Sequence, residues 1–139
     1  MIVVRKIPFF FFVLLFFLLY FTKWAGTEPN YKVVISQGIG IVKNLNYAKA
    51  KDMALCDAIS NVIEQAVESL IPMGNKVKNY LLLKEYIYPK ALNYINKYKF
   101  ISEKRDKRYY RIIIQAQVDL GYLKGDLINF RIVSKKELK

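Results

Sequence analysis

The chain has 139 residues carrying 23 Lys and Arg against 11 Asp and Glu, a formal net charge of +12, with one Cys and no His. That length holds one small domain with a single core. The composition excludes an intramolecular disulfide and any site built on histidine, whether general base or imidazole metal ligand.

Ile7 to Phe21, IPFFFFVLLFFLLYF, is an apolar run of fifteen that follows Arg5 and Lys6 and is closed by Lys23. A basic stub before an apolar segment is the layout of a bacterial export signal, so the rest of the chain is expected to work outside the cytoplasm. Fifteen helical residues span about 23 Å, short of a hydrocarbon core of roughly 30 Å. The flank Thr22-Lys23-Trp24-Ala25-Gly26 puts Lys23 or Trp24 where a signal peptidase needs a small residue. Length favours a removed signal peptide and the flank an uncleaved anchor with its amino terminus inside, and both readings stay open. No Cys closely follows the run, which excludes a lipid-anchored amino terminus.

The expected organisation is a signal peptide or signal anchor over 1–25, a linker over 26–30 and a single domain over 31–139. Beyond residue 25 lie 20 of the 23 basic residues and all 11 acids, leaving a net charge of +9. With an export signal in front, anionic headgroups, cell-wall polymer or an acidic protein are the expected counterparts in place of nucleic acid.

Tyr31 to Val42 alternates with period two and predicts a strand: Tyr31, Val33, Ile35, Ile39 and Ile41 on one face, with Gln37 among them, and Ser36, Gly38 and Gly40 on the other. The small face lets a helix or another backbone approach closely. Gly38-Ile39-Gly40 lacks the third glycine and the strand-turn-helix placement of a dinucleotide fingerprint. Asn46 is placed to cap a helix from Tyr47 to about Leu70, stopped by Pro72 and Gly74. Its expected core face holds Ala54, Leu55, Ala58, Ile59, Val62, Ile63, Ala66, Val67 and Leu70, while Lys49, Asp57, Ser60, Asn61, Glu64, Gln65 and Glu68 form a solvated one. On that face Glu64 and Glu68 are surface carboxylates in preference to a metal or catalytic pair. Cys56, at the border of the apolar face, is expected to be a buried, inert thiol.

Val77 to Asn96 predicts a second long helix, kinked or split at Pro89. The tyrosines of this region, Tyr80, Tyr86, Tyr88, Tyr94 and Tyr98, are expected to bury their rings and leave their hydroxyls wet. Lys99 to Arg105 and Tyr109 to Leu120 predict a hairpin around Asp106-Lys107. Lys104, Arg105, Lys107, Arg108 and Arg111 gather at its turn, as an anionic-partner patch or as charges that block edge-to-edge pairing. A short helix over Tyr122 to Asn129 follows, with Asp119 as its cap, and Phe130-Arg131-Ile132-Val133 is a candidate edge strand. Together these elements predict an α+β fold: an antiparallel sheet of three to four strands with two longer helices packed on one face, preceded by the hydrophobic signal or anchor helix.

The succession Gly38-Ile39-Gly40, then Ala48-x-Ala50-x-x-Met53-Ala54-Leu55-x-Asp57-Ala58-Ile59, then Tyr94-Ile95-x-x-Tyr98-Lys99-Phe100, then Ala116-x-Val118-Asp119-Leu120-x-x-Leu123, resembles the amino-terminal domain of the flagellar assembly protein T family and a related domain of small outer-membrane lipoproteins. The resemblance covers about Lys32 to Leu127, one domain where the flagellar proteins carry more, and the lipobox of the lipoproteins has no counterpart here. It implies a periplasmic, non-enzymatic module that docks on neighbouring subunits of a ring around the flagellar basal body. With no catalytic residue and no cofactor or metal site in view, the expected function is an exported structural or interaction module of the bacterial envelope. Its expected partners are envelope or basal-body proteins, with homo-oligomerisation open and membrane contact through residues 7–21. The alternative is a basic module for anionic lipid or cell-wall polymer.

Overall fold

The computed structural model describes residues 30–138, so the expected signal or anchor segment lies outside the described residues. Three strands, β1 (Tyr31–Ile41), β2 (Ile95–Arg105) and β3 (Tyr109–Asp119), form one antiparallel sheet in the order β1-β3-β2. The long apolar alternation of β3 suits the central place, because it pairs on both edges. Gly38 faces Ile112 across β1 and β3, and Phe100 faces Ile114 across β2 and β3. Register shifts at Asn96 and Ile101 break the β2 ladder.

Helix α1 (Tyr47–Leu70) lies across one face of this sheet. Asn46 caps it, its side-chain oxygen accepting from the Lys49 amide at 3.0 Å. Ala50, Ala54 and Ala58 recur every four residues and lie against Gly40 and Gly38, so helix and strand meet backbone to backbone. Ile59, Val62, Ile63, Ala66, Val67 and Leu70 continue the buried face towards Ile112, Ile114 and Val118. Every member of the core cluster lies between Val34 and Val133.

The second long helix is not formed. Its place is taken by α2 (Met73–Lys78), a single turn α3 (Tyr80–Leu82), a π turn over Leu83–Ile87 and a 3-10 segment over Tyr88–Tyr94. Val77 and Leu81 are 70% and 77% exposed, and Leu83 and Ile87 supply the core contacts. The π turn passes into the 3-10 segment at Tyr88, with Pro89 in the first turn of that segment, where its missing N–H costs nothing, and the helical backbone breaks at Lys90, with φ −101° and ψ 17°. Ile95 to Tyr98 leave the helical pattern for β2, because pairing with Val118 and Ala116 outweighs local spacing.

Helix α4 (Leu120–Asn129) closes the domain. Asp119 accepts from the Tyr122 amide at 3.0 Å, the capping role read from its position. Tyr94 is fully buried and its hydroxyl donates to Asp126 at 2.6 Å, so this ring does not leave its oxygen to water. Phe130 to Val133 do not make a fourth strand. Arg131 takes a positive φ of 55°, and the amides of Ile132 and Val133 turn back to the Leu127 carbonyl at 2.9 and 3.3 Å. This helix-terminating turn drops both side chains into the core. Among the described residues the fold is therefore α+β with three strands and one long helix.

Candidate docking surface

Among the described residues the helical cover lies on the face of the sheet that carries Val34, Ser36, Gly38 and Gly40 of β1 and Tyr110, Ile112, Ile114, Ala116 and Val118 of β3. Alternation sends their neighbours to the other face. There β1 presents Tyr31, Val33, Ile35, Ile39 and Ile41, which are 44, 50, 58, 42 and 50% exposed. The large residues of β1 thus face outward, because its small residues are needed for close contact with α1. Half-exposed β-branched side chains in one row are an apolar strip of the kind that marks an interaction surface.

Register supplies the rest of that face. Gln117 lies opposite both Val33 and Lys97, Gln115 opposite Ile35 and Lys99, and Arg111 opposite Ile39 and Lys104. Directly opposed residues share a face, so an apolar row on β1, a mixed row on β3 and a basic row on β2 run side by side. Tyr31, Val33, Lys97, Lys99, Gln115 and Gln117 line a groove of about 370 Å³ across this face. The sequence leaves Lys97 between the predicted helix, which ends at Asn96, and the predicted strand, which begins at Lys99, and the pairing with Gln117 places it on this face.

The five hairpin residues do not form one patch. Lys104 and Arg111 lie on the open face by register. Arg105 is drawn to the helix side, its guanidinium 4.7 Å from the Tyr47 ring. Lys107 and Arg108 stay in the turn, which Asp106 organises by accepting from the amides of Arg108 and Tyr109 at 2.7 and 2.8 Å. Those two bonds hold the Asp106 carboxyl below its usual range, so a negative charge sits at the centre of the positive tip. Arg111 approaches the same carboxylate at 3.9 Å.

Several residues expected on the solvated helix face have structural partners. Asp57 accepts from the Ile39 amide at 2.9 Å, and Asn61 donates to the Gln37 carbonyl at 2.9 Å. One helical turn apart, the pair caps the outer edge of β1 in mid-strand and blocks another strand from pairing there. Glu64 and Glu68 both bind the Lys76 ammonium, which their hydrogen bonds hold above its ordinary range, Glu68 contributing first. Cys56 is exposed, against the expectation of burial. It lies about 200° around the helix from the alanine face set by Ala54 and Ala58.

Among the described residues no helix is long and apolar enough to cross a membrane, and no group of three or more His, Cys, Asp or Glu is placed to hold a metal ion. Comparison with protein-family models, curated proteins and solved structures finds no match, so the properties of this surface rest on the residues that form it.

Proposed function

We propose that this chain is an exported, non-enzymatic docking module of the bacterial cell envelope, and that the open face of its sheet is the surface that docks. The observation carrying this reading is that five large apolar side chains of β1 stay about half exposed although the core on the other face is complete. Leaving them in water forgoes hydrophobic stabilisation that a covering partner would recover. The basic stub and apolar run at residues 5–21 support export, to the periplasm or to the outer surface of the inner membrane. The resemblance to the flagellar family supports an envelope assembly, the basal body among them, as the setting.

The test uses a carboxy-terminally tagged chain in cells. Intact mass and fractionation report export and the fate of the signal. In a Cys56→Ser background, Ile35→Cys reports the open face through its reactivity with a membrane-impermeant maleimide, and the parent Cys56 reports the outer side of α1. The reading expects an exported chain with Cys56 reactive and the residue-35 thiol shielded. A cytoplasmic chain, or equal reactivity at both positions, overturns it.

A further inference from the structure

We infer that the surface docking on this open face is an anionic phospholipid bilayer, with the β1 strip seated at the boundary of the acyl chains and the β2 row on the headgroups. The inference rests on the open face being the docking surface and goes further by naming what covers it.

Charge and layout point to lipid. The face offers Lys97, Lys99, Lys104 and Arg111 alongside Val33, Ile35, Ile39 and Ile41. Among the described residues on the strands of this face the one acid, Asp119, is occupied in capping α4, while Asp106 of the turn approaches Arg111 at 3.9 Å and leaves the three lysines as the free cations. An apolar strip bordered by cations is the division of a surface that lies in a bilayer interface, where apolar side chains enter the boundary and Lys and Arg reach the phosphates. The groove walled by Lys97 and Lys99 on one side and by Tyr31 and Val33 on the other, with Gln115 and Gln117 between, gives one headgroup both charge and amide donors.

The course of the chain agrees. Nine residues, 22–30, separate the apolar run from β1. Fully extended they reach about 30 Å, so a bilayer that holds the run keeps β1 within that distance of its surface. The strand that carries the apolar strip is the first element after the tether. A second copy of the chain is a poorer occupant, because residues 26–139 carry a net charge of +9 and stacking two such faces brings two basic rows together. Strand addition to the edge of β1 is blocked in mid-strand by Asp57 and Asn61.

The experiment uses the full chain, transferred from mild detergent into vesicles of phosphatidylcholine alone or with one third phosphatidylglycerol. An environment-sensitive fluorophore is placed on Ile35→Cys in the Cys56→Ser background, or on the native Cys56. The expected result is a blue shift and at least a threefold loss of iodide quenching at residue 35 in the anionic vesicles only, with Cys56 open in both. Each lysine held at an anionic surface is worth about a fivefold gain, so Lys97→Gln, Lys99→Gln and Lys104→Gln together lower the covered-to-open ratio on the order of a hundredfold. Salt at 1 M, where the Debye length is about 3 Å, reopens the face.

An open residue 35 in anionic vesicles overturns the inference. Equal shielding in neutral vesicles that rises with protein concentration also overturns it, in favour of a second copy, and shielding that needs added envelope protein does so in favour of a protein partner. Shielding in cells without shielding on anionic vesicles removes the lipid assignment and leaves the docking module standing. Shielding on vesicles by a chain found in the cytoplasm does the reverse.

Discussion

Gly38→Ala tests the contact that decides which face of the sheet is covered. A Cβ added at Gly38 would stand 1.9 Å from the Ala54 carbonyl oxygen and 2.3 Å from the Ala58 amide nitrogen, where ordinary contact begins at 3.4 Å. Those atoms are helix backbone and cannot rotate away, so α1 must withdraw from β1 by about 1.5 Å. A gap of 0.5–1 Å already forfeits roughly a quarter to a half of each dispersion contact, and nine buried residues of α1 share this interface. Overpacking typically costs about 1–3 kcal/mol, and a clash against backbone on both sides belongs at or above the top of that range. Gly125→Ala is the matched control. The residue is inside α4 with nothing within 4 Å of an added Cβ, and the substitution should stabilise by roughly 0.5–1 kcal/mol through helix propensity. Urea unfolding of residues 30–139 followed by far-ultraviolet circular dichroism measures both. Equal effects of the two substitutions, or a Gly38→Ala cost below about 1 kcal/mol, would refute the close approach of α1 to β1.

Asp57→Ala leaves the Ile39 amide without its partner and opens the β1 edge; it should cost about 1 kcal/mol and produce concentration-dependent association in sedimentation velocity, and a monodisperse variant of parental stability would contradict the edge-capping role. Burial first, and the bond to Asp126 second, hold the Tyr94 phenol above its ordinary range. The folded state then keeps a proton that the unfolded state gives up, so this contribution is full below about pH 10 and declines as pH rises beyond it. Tyr94→Phe should lose about 1.5 kcal/mol at neutral pH and show a shallower alkaline decline than the parent, measured by urea unfolding at pH 8 and 10.5. Cys56 in the folded chain should react with Ellman's reagent within about an order of magnitude of its unfolded rate, whereas protection beyond a hundredfold would mean that α1 is rotated about its axis.

Local chemistry was sufficient for the elements whose two faces differ sharply. The period-two run of Tyr31 to Ile41, the Asn46 cap, the arrest of α1 before Pro72, the turn at Asp106 and the Asp119 cap each depend on interactions within a few residues, so their signals are contiguous in the chain. The small face of β1 was legible for the same reason, since Ser36, Gly38 and Gly40 are small wherever the strand is placed. Residues 83–98 were not legible. Their spacing suits a helix, but Ile95 to Tyr98 gain more from the ladder with β3, a partner about twenty residues away, than from one more helical turn.

What the sequence by itself determined is the presence of a strand with one small and one large face, a long amphipathic helix, a basic hairpin and a net positive charge, because each follows from residue type and local spacing. Only the tertiary structure decided how these combine. Among the described residues three strands supply no second layer for the outer face, so the large residues of β1 stay about half exposed. The register of two ladders brings Lys97, Lys99 and Lys104 alongside that strip and sends Arg105 to the other side. The same packing aims Asp57 and Asn61 at the strand edge, a role invisible to helical periodicity, which tells a polar face from an apolar one but not what the polar face meets.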